Sequence, residues 1–408
     1  MLFNRRYCNK LLIERANGIS LPIIANFLCS NSGKAVQREE MARTPKTVVL
    51  LLHHGQPRTL FYAREYLTKS TSDFFKIPKW LAATLINSTW RFTSKTRRAV
   101  MNYKEDKALN GIIEKYSISL EKCLNEVIPE FGPISCKYAF LYENPNVNDT
   151  ITKLIRNGMD RIVFVPLYPN YSCFQTGFLL NAAVKTIRNI TVALPESVET
   201  NDSHRITPMS GVSFDCSVVD RWGTHPAAIC FWLDHLNGKS RFFDSVLFVA
   251  PRLYLYNAKE YEREVWSNCQ RIMDHLDNKV WCLAWYSGWD QWMVPFSESI
   301  SSQLQFLQKH GRFHTVVVPI NTILPTFDSE SILPYLLQKM EVDLAHPVDF
   351  SLTFLHAFAE LIKNHLLGRP SSAQLSIFCK YCFDKNCVST REILTNRYSK
   401  SMFHTIAL

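Results

Sequence analysis

The stretch that decides the fold is Asn148–Pro166, which reads NDTITKLIRNGMDRIVFVP. Its first part repeats apolar residues at the spacing of one helical face, with Asn148 or Asp149 as the predicted N-cap and Gly158 as the predicted stop. The run Arg161–Pro166 follows, and its continuous apolar side chains predict a strand that is buried on both faces. A helix that leads into a buried strand is the repeating unit of an α/β protein.

The same order of signals recurs later in the chain. Ser297 is the predicted cap of a second helix, Gly311 is its predicted stop, and Thr315–Pro319 is the strand after it. Further apolar strands are predicted at 47–52, 134–142, 245–250 and 279–286. Strands separated by helices imply parallel sheets with helices on both faces, so the predicted fold class is α/β with two similar domains, residues 46–235 and 236–369.

Composition limits the class of function. The chain has 408 residues, of which 47% are hydrophobic and 20% charged, as in a globular protein. Its 13 glycines form neither G-x-G-x-x-G nor a P-loop, so nucleotide binding has no local support. The formal net charge of +10 favours anionic partners such as acidic lipid or carboxylate-bearing ligands. Because the basic residues are dispersed and no reading module is recognisable, no nucleic-acid partner is predicted.

Residues 1–45 have the pattern of a mitochondrial presequence. Basic residues alternate with apolar ones, and Glu14 is the only acid before Glu39. The alternative is a secretory signal with Ile19–Leu28 as its apolar region, but that region lies late in the segment. No apolar run reaches the length of a transmembrane helix.

Residues 74–90 are rich in aromatic side chains, including Phe74 and Trp80, and Lys79 and Arg91 are among the basic residues that flank them. One interpretation is a helix of the core. The other is an interfacial lip, in which aromatic and lysine side chains lie at the depth of lipid headgroups. The sequence leaves both interpretations open.

Residues 370–408 form a predicted cysteine-bearing tail. Cys379, Cys382 and Cys387 have the spacing C-x2-C-x4-C, which presents three thiolates to a soft metal centre. A fourth ligand should come from elsewhere, and this spacing does not separate zinc from an iron–sulfur cluster. The remaining cysteines without ligand spacing are predicted to be buried small hydrophobes or surface thiols: Cys8, Cys29, Cys123, Cys136, Cys216, Cys230, Cys269 and Cys282.

His53 and His54 follow the predicted first strand, at the end where α/β proteins place ligands. Adjacent residues on an extended chain point to opposite faces, so at most one of the two is predicted to face a pocket. An alternative iron or haem site is one interpretation, and a turn or solvated histidine is the favoured one.

The tail cysteines, together with Pro169–Gly177 (PNYSCFQTG), resemble an animal-type ferrochelatase. That family inserts ferrous iron into protoporphyrin IX in haem biosynthesis. The resemblance implies two Rossmann-like, chelatase-type domains, a homodimer, and a peripheral position on the matrix side of the inner mitochondrial membrane. It also implies a [2Fe–2S] cluster whose ligands are Cys173, Cys379, Cys382 and Cys387. Further matches are Gly55, Pro57, Asp220, Arg221, Trp222, Thr224, His225, Trp292 and Pro295.

The chain departs from the family pattern at four places that the resemblance assigns to the porphyrin pocket. Pro251 stands where the family has its catalytic histidine, and Asp328 is the only acid kept from a D-H-x-E stretch. Leu141 replaces an arginine, and the glycine-rich loop expected near Lys104–Ala108 is absent. Iron insertion requires pyrrole protons to leave, and proline has no group that accepts a proton.

The resemblance and its departures therefore predict a ferrochelatase homologue that keeps the fold and the cluster and has lost most or all activity. Two roles stay open for it: binding of porphyrin or haem, or service as a partner subunit. His225, Arg252 and Tyr254 are the candidate replacement bases, but arginine stays protonated and tyrosine is a poor base. Two other hypotheses stay open: an active ferrochelatase with replaced pocket residues, and a structural or sensing [2Fe–2S] protein.

Overall fold

The structure is a computed structural model that describes most of the chain from Lys46 onward. The described residues are 46–57, 60–92, 109–193, 213–239, 243–252, 258–276, 279–286, 300–347, 350–369 and 404–407.

Strands and helices alternate along the chain. The strands are β1 (Thr47–His53), β2 (Ile134–Phe140), β3 (Arg161–Pro166), β4 (Ser213–Val218), β5 (Ser245–Pro251), β6 (Val280–Tyr286), β7 (Thr315–Pro319), β8 (Asp343–Leu344) and β9 (His404–Ala407). The α-helices are α1 (Leu60–Phe75), α2 (Lys79–Phe92), α3 (Leu109–Val127), α4 (Val147–Arg156), α5 (Phe178–Ala193), α6 (Pro226–Lys239), α7 (Ala258–Met273), α8 (Ile300–Lys309), α9 (Leu333–Leu337) and α10 (Leu352–Leu366). The short helices are a 3₁₀ turn (Pro129–Phe131) and two π-helices (Cys173–Gly177 and Asp328–Ile332).

The strands form two sheets with the same internal order. The first sheet runs β2-β1-β3-β4 and the second runs β6-β5-β7-β8, and all of these neighbours pair in parallel. This repeated order confirms the predicted α/β fold class with two similar halves. The first sheet also gains β9, which pairs antiparallel with β4 and which the sequence pattern did not predict.

Alternate residues of each central strand contribute to different cores, as the period of two along a strand requires. Val49 and Leu51 of β1 belong to one large core that also contains Phe248 of β5, so the two sheets share it. Leu50, between them, packs on the opposite side of the first sheet in a core with α4 and α5. Leu247 of β5 likewise packs in a separate core with α8 and α9. The molecule therefore has layers of helix on both faces of each sheet.

Helix ends agree with the sequence patterns in part. Gly158 (φ +68°) and Gly311 (φ +73°) adopt left-handed backbone after α4 and α8, which confirms both predicted stops. The predicted cap of α4 is wrong: Asn146 is the N-cap, and its side chain accepts a hydrogen bond from the Asp149 backbone N–H at 2.8 Å. Asn146 holds the capping position because the helix begins two residues earlier than its apolar pattern indicates. Ser297 lies outside the described residues.

Candidate functional site

The carboxyl ends of both sheets border one cleft. Its lining includes His54 after β1, Pro251 at the end of β5, Tyr286 at the end of β6 and Asn321 after β7. About 850 Å³ of space, part of it open to solvent, is free of protein atoms here. Ligands of open α/β sheets bind beyond the carboxyl ends of the strands, so the topology itself makes this cleft the candidate site.

The cleft wall is rich in aromatic side chains. The lining aromatic residues are Tyr66, Phe74, Tyr142, Tyr168, Phe174, Phe178, Tyr286 and Phe327. Phe74 of α1 stacks on Phe174 with ring centroids 4.3 Å apart, and Tyr66 meets Tyr142 edge to face at 5.5 Å. Such a wall suits a flat aromatic ligand, because aromatic rings bury large apolar areas and stack.

His54 faces the cleft and His53 does not, as the alternation along a strand predicts. The His54 Nε2 lies 3.2 Å from the Gln175 carbonyl oxygen. Burial lowers the pKa of His54 to about 4, although the carbonyl groups of Gln175 and Phe174 oppose that change. The imidazole is therefore neutral at physiological pH, and it is the one histidine that lines the cleft in the described part of the chain.

His53 is fully buried at the end of β1, so the favoured interpretation of a turn or solvated histidine is wrong for this residue. Its ring stacks on Tyr168 at 5.1 Å, and its Nδ1 accepts a hydrogen bond from the Gly55 N–H at 3.1 Å. Burial, with a smaller contribution from the neighbouring His54, lowers the pKa of His53 to about 3. A buried β strand that ends in a turn holds this ring in the protein interior.

Pro251 lies in the cleft wall, paired with Tyr286 of the neighbouring strand. Asp328 also lines the cleft, as the first residue of the π-helix Asp328–Ile332. The structure therefore brings together two of the positions at which the chain departs from the family pattern. Leu141 lines a neighbouring groove instead, and Lys104–Ala108 lie outside the described residues.

His225 is not among the residues that line the cleft. It is buried before α6, where its Nδ1 accepts a hydrogen bond from the Ala227 N–H at 3.2 Å. Arg252 follows β5 but does not line the cleft either, and Tyr254 lies outside the described residues. None of the three replacement bases considered from sequence is thus found in the cleft wall among the described residues.

Gln175 is a site residue that sequence reasoning missed. It lies in the π-helix Cys173–Gly177, and its side-chain oxygen accepts hydrogen bonds from Ser172 Oγ and from Asn321 Nδ2. Asn321 follows β7, so this contact joins the two halves of the molecule across the cleft. Gln175 belongs to the motif that carries the family resemblance. The spacing of that motif does not predict a contact with Asn321, which lies 146 positions away.

Cys173 begins the same π-helix, after Ser172, whose Oγ accepts a hydrogen bond from the Gln175 N–H at 3.1 Å. Its thiol is half-buried and is not in a disulfide. Cys379, Cys382 and Cys387 lie outside the described residues. Within the described ranges no three His, Cys, Asp or Glu side chains are grouped so that they could hold a metal ion.

Among the cysteines without ligand spacing, Cys8 and Cys29 lie outside the described residues, and Cys282 of β6 is a half-buried free thiol. The other five divide into two groups. Cys123, Cys136, Cys216 and Cys269 are buried thiols, as predicted, and burial raises the pKa of each. Cys230 of α6 is disulfide-bonded, so the expectation of an unbridged thiol is wrong there.

Arg221 ties the loop after β4 to α7. Its guanidinium contacts the Asp220 carboxylate at 3.2 Å and the Glu264 carboxylate at 3.3 Å. Trp222, next to it, is fully buried, and its indole N–H donates to the Pro166 carbonyl oxygen at 3.2 Å. These residues of the family motif therefore fasten the first half of the molecule to the second.

The segment 74–90 spans the end of α1 and most of α2. Phe74 and Ile86 are buried, as a core helix requires, while Trp80 is 70% exposed. The buried side chains agree with a helix of the core, and the exposed Trp80 agrees with an interfacial lip. In the part of the chain that the structure describes, no helix has both the length and the apolar character needed to cross a bilayer.

Comparison with known proteins agrees with this geometry. The sequence profile of the ferrochelatase family matches residues 46–322. The chain is 26% identical over 391 residues to the mitochondrial ferrochelatase of Bos taurus, an alignment that covers 87% of this chain and 86% of the relative. It is 25% identical over 394 residues to the mitochondrial ferrochelatase of Homo sapiens, covering 90% and 87%.

Among solved structures, SirB from Bacillus subtilis with Fe³⁺ aligns with a TM-score of 0.44 at 12% identity, and the alignment covers 78% of this chain and 95% of that chain. The family profile, in contrast, spans more than half of the chain and includes β1, β5 and β7, whose ends border the cleft. The chain is therefore a divergent member of the ferrochelatase family, whose reaction is the insertion of iron into a porphyrin in haem biosynthesis.

Proposed function

We propose that this chain binds porphyrin or haem in the cleft between its two sheets and inserts iron slowly or not at all. The observation that carries the proposal is Pro251 in the cleft wall, at the position of the family's catalytic histidine. The aromatic lining supports binding of a flat macrocycle, because stacking needs no catalytic group. The loss of the base bears on the reaction, because a positioned base typically contributes roughly 100- to 10,000-fold in rate.

A second candidate function is an active ferrochelatase that uses different residues. The observation that favours it is His54, a neutral imidazole on the opposite side of the same cleft. A neutral imidazole can accept a pyrrole proton, and here the burial that lowers the pKa to about 4 makes it a weaker base than an ordinary histidine. Asp328 would then be the remaining acid of the cleft.

Equilibrium titration and a turnover assay together test the proposal. We expect saturable binding of protoporphyrin and haemin, and no loss of porphyrin fluorescence when ferrous iron is added. Asn321→Trp should weaken binding because it places an indole in the cleft, whereas Gln305→Trp on the exposed face of α8 should not. Robust iron insertion that disappears in His54→Ala would establish the second candidate function instead. Absence of saturable binding would leave the structural or sensing hypothesis.

The proposal includes a [2Fe–2S] cluster on Cys173, Cys379, Cys382 and Cys387. Cys173 suits this role because its thiol is half-buried, unbridged and held at the start of a short helix. A bound cluster would be held by thiolates and would be able to take up or release an electron. The other three ligands rest on their spacing alone.

Anaerobically purified protein should contain two irons and two sulfides per chain, the composition that defines a [2Fe–2S] cluster. Cys382→Ser and Cys173→Ser should each abolish the visible absorption of the cluster, because a thiolate ligand is lost. Cys216→Ser, at a buried thiol of β4, is the matched control and should retain the absorption. Stoichiometric zinc without sulfide would contradict this prediction.

The cellular setting is proposed from the relatives and from residues 1–45. Several relatives are named as mitochondrial ferrochelatases. We infer that this chain is mitochondrial, peripheral on the matrix side of the inner membrane, and a homodimer. Import of a full-length fusion into mitochondria, set against a fusion that lacks residues 1–45, tests the first part. Retention of import in the shortened fusion would oppose a presequence in that segment.

A further inference from the structure

Glu264 reaches from the second half of the molecule to the loop that follows β3. It lies on α7, and its side chain is 13% exposed. Its Oε2 accepts a hydrogen bond from the Tyr171 backbone N–H at 3.2 Å, and its Oε1 accepts one from Arg221 Nη1 at 3.3 Å. One carboxylate of the second half therefore contacts two loops of the first half.

Tyr171 joins this carboxylate to the π-helix Cys173–Gly177. The helix begins directly after it, with Ser172 as the N-cap, and the Ser172 carbonyl oxygen accepts a hydrogen bond from the Gly177 N–H at 2.9 Å. The Tyr171 hydroxyl also lies against Gly177, 3.3 Å from the position that a Cβ would occupy there. The start and the end of the π-helix therefore both depend on where Tyr171 is placed.

The π-helix in turn carries contacts of the cleft. Its Phe174 and Gln175 line the cleft, and the Gln175 carbonyl oxygen lies 3.2 Å from His54 Nε2. Because one helical turn holds these groups, a displacement of Tyr171 would move them together. Glu264 is thus connected to the cleft wall although it is not among the residues that line it.

The amide side chains beside Glu264 make no comparable contact. Asn268, one turn further along α7, and Asn170, next to Tyr171, are both buried. The Nδ2 atoms of both amides, and the Asn268 Oδ1, have no hydrogen-bond partner among the described residues. Both amides lie against Gly223, where the two halves meet. The hydrogen bond between Glu264 and Tyr171 is therefore not duplicated by these amides.

Stability does not account for a carboxylate at this position. Burial raises the pKa of Glu264 to about 6, although Arg221 and the Tyr171 N–H oppose that rise, and the Asp220 charge adds to it. The ionised side chain therefore lowers the free energy of unfolding at neutral pH, because the same group ionises more easily in the unfolded chain. Buried groups of this kind are found preferentially at functional sites.

We propose that Glu264 is a positioning residue of the cleft: its carboxylate fixes Tyr171 and thereby the π-helix that carries Phe174 and Gln175. This role rests on the proposed function, because the ligand it serves is the porphyrin or haem of the cleft. An ionised carboxylate accepts a stronger hydrogen bond from an N–H group than a protonated carboxyl group does. Since the pKa of Glu264 is about 6, the loop is held more firmly above that pH than below it.

Amide exchange tests the position of the loop without any ligand. Hydrogen–deuterium exchange of the full-length protein is followed in the peptide that contains Tyr171 and is corrected for the intrinsic exchange rate. Lowering the pH from about 7.5 to about 5 should reduce protection about fivefold, because ionised groups accept stronger hydrogen bonds. Glu264→Gln cannot ionise and should show the lower protection at both pH values. Asp220→Asn should move the midpoint to lower pH, because it removes a charge that raises the pKa of Glu264.

Haemin binding tests whether the loop matters to the cleft. At about pH 7.5 the affinity of Glu264→Gln for haemin should be about fivefold lower than that of the unchanged protein, and at about pH 5 the two should agree. Comparing the two proteins at each pH cancels any titration of haemin itself. Glu262→Gln is the matched control, two positions earlier on a different face of α7, and should behave as the unchanged protein.

The urea midpoint distinguishes positioning from a structural role. At about pH 7.5 it should not fall in Glu264→Gln, because the change removes a carboxylate whose ionisation is unfavourable and leaves Arg221 paired with Asp220. A large fall would make Glu264 a structural residue and would overturn the proposal. Should that variant not fold, a flat pH profile of protection in the unchanged protein and in Asp220→Asn overturns it.

The remaining outcomes separate this role from the proposed function. Absence of haemin binding by the unchanged protein contradicts the proposed function, and the exchange measurement still tests the hold on Tyr171. Equal protection in Glu264→Gln and the unchanged protein overturns the positioning role and leaves haemin binding in place. Loss of protection with an unchanged haemin affinity also overturns it, because the loop would then not act on the cleft.

Discussion

Pro251 and His54 face the same cleft from different sheets, and each changes what the cleft can do. Pro251, at the position that the family resemblance assigns to the catalytic histidine, has a ring that cannot accept a proton. His54 adds an imidazole whose pKa burial lowers to about 4. The cleft therefore contains an imidazole even though Pro251 has no basic group. Whether the protein inserts iron must therefore be decided by the turnover assay on the unchanged protein, and not by the residue at position 251.

Reintroducing the lost histidine should restore little activity. Pro251→His supplies an imidazole at the end of β5, but Asp328 is still one methylene shorter than the family's glutamate. Groups that act as a unit do not contribute additively, so one of them alone recovers little of the whole. We expect the rate of iron insertion, followed by loss of porphyrin fluorescence, to match that of Pro251→Ala.

A gain of about 100-fold over Pro251→Ala would contradict this expectation, because it is within the range of a fully positioned base. It would mean that the rest of the catalytic arrangement is intact. Unchanged haemin binding in both variants is the control for folding of the cleft.

At the scale of elements, the π-helix Cys173–Gly177 connects features that are distant in sequence. It begins at the proposed cluster ligand Cys173, and its Phe174 and Gln175 line the cleft. Gln175 reaches Asn321 across the cleft through a side-chain hydrogen bond. π-Helical turns occur frequently at functional sites, and this one borders the cleft and contains the proposed cluster ligand Cys173.

The segment 74–90, and within it the first turn of α2, is the element that we expect to contact a membrane. Trp80 is 70% exposed, and Leu81 beside it is half-buried. Indole rings favour the interface between lipid and water, and neighbouring lysines favour anionic headgroups. Trp80→Ser with Leu81→Ser should therefore weaken flotation of the protein with anionic liposomes.

Trp266→Ser is the matched control for this prediction. Trp266 lies on α7 and is 50% exposed, so its replacement removes an exposed indole from a different surface. It should leave flotation unchanged. Equal flotation of all variants would favour a purely structural role for the segment around Trp80.

At the scale of the whole molecule, the stability should depend on pH through its buried histidines. His53 has a pKa of about 3 in the folded protein, and an unfolded histidine has a pKa of about 6.5. The unfolded chain therefore binds more protons below about pH 6.5, so the contribution of His53 is fully present above that pH and is lost as the pH falls toward about 3. His54 acts in the same direction down to about pH 4.

Between its folded and unfolded pKa values, each of the two histidines should change the free energy of unfolding by about 1.4 kcal/mol per pH unit. Glu264 opposes this between about pH 4.5 and 6, because burial raises its pKa to about 6. Urea unfolding at about pH 5 and about pH 7 should therefore give a smaller pH dependence for His53→Gln than for the unchanged chain. His310→Gln, at an exposed histidine, should not alter the dependence. An equal pH dependence for His53→Gln would show that His53 does not contribute to the pH dependence of the free energy of unfolding.

The two halves also act as one body through shared core and charge. The large core contains residues of both sheets, and Arg221 contacts Glu264 across the halves. A buried ion pair is costly to break because it leaves an uncompensated charge. The shared core and this ion pair therefore hold the two sheets that border the cleft in a fixed relative position.

The sequence by itself determined the local elements, the duplicated fold and the family. Strand and helix patterns depend on neighbours a few residues apart, so Arg161–Pro166 and Thr315–Pro319 could be assigned as buried strands without a structure. Motif spacing identified Cys379, Cys382 and Cys387 as ligand candidates, whereas Cys173, Pro251 and Asp328 were singled out only through the resemblance to the family.

Only the tertiary structure decided which side chains share the cleft. His225 matched the family motif, yet it lies buried before α6, while His54 faces the cleft. Lys76 lies in the turn after α1 and Lys185 lies on α5, and their meeting in one groove depends on how α1 and α5 pack against the first sheet. The physical reason is that parallel strands bring their carboxyl ends to one edge whatever their order along the chain, and local sequence patterns do not encode that convergence.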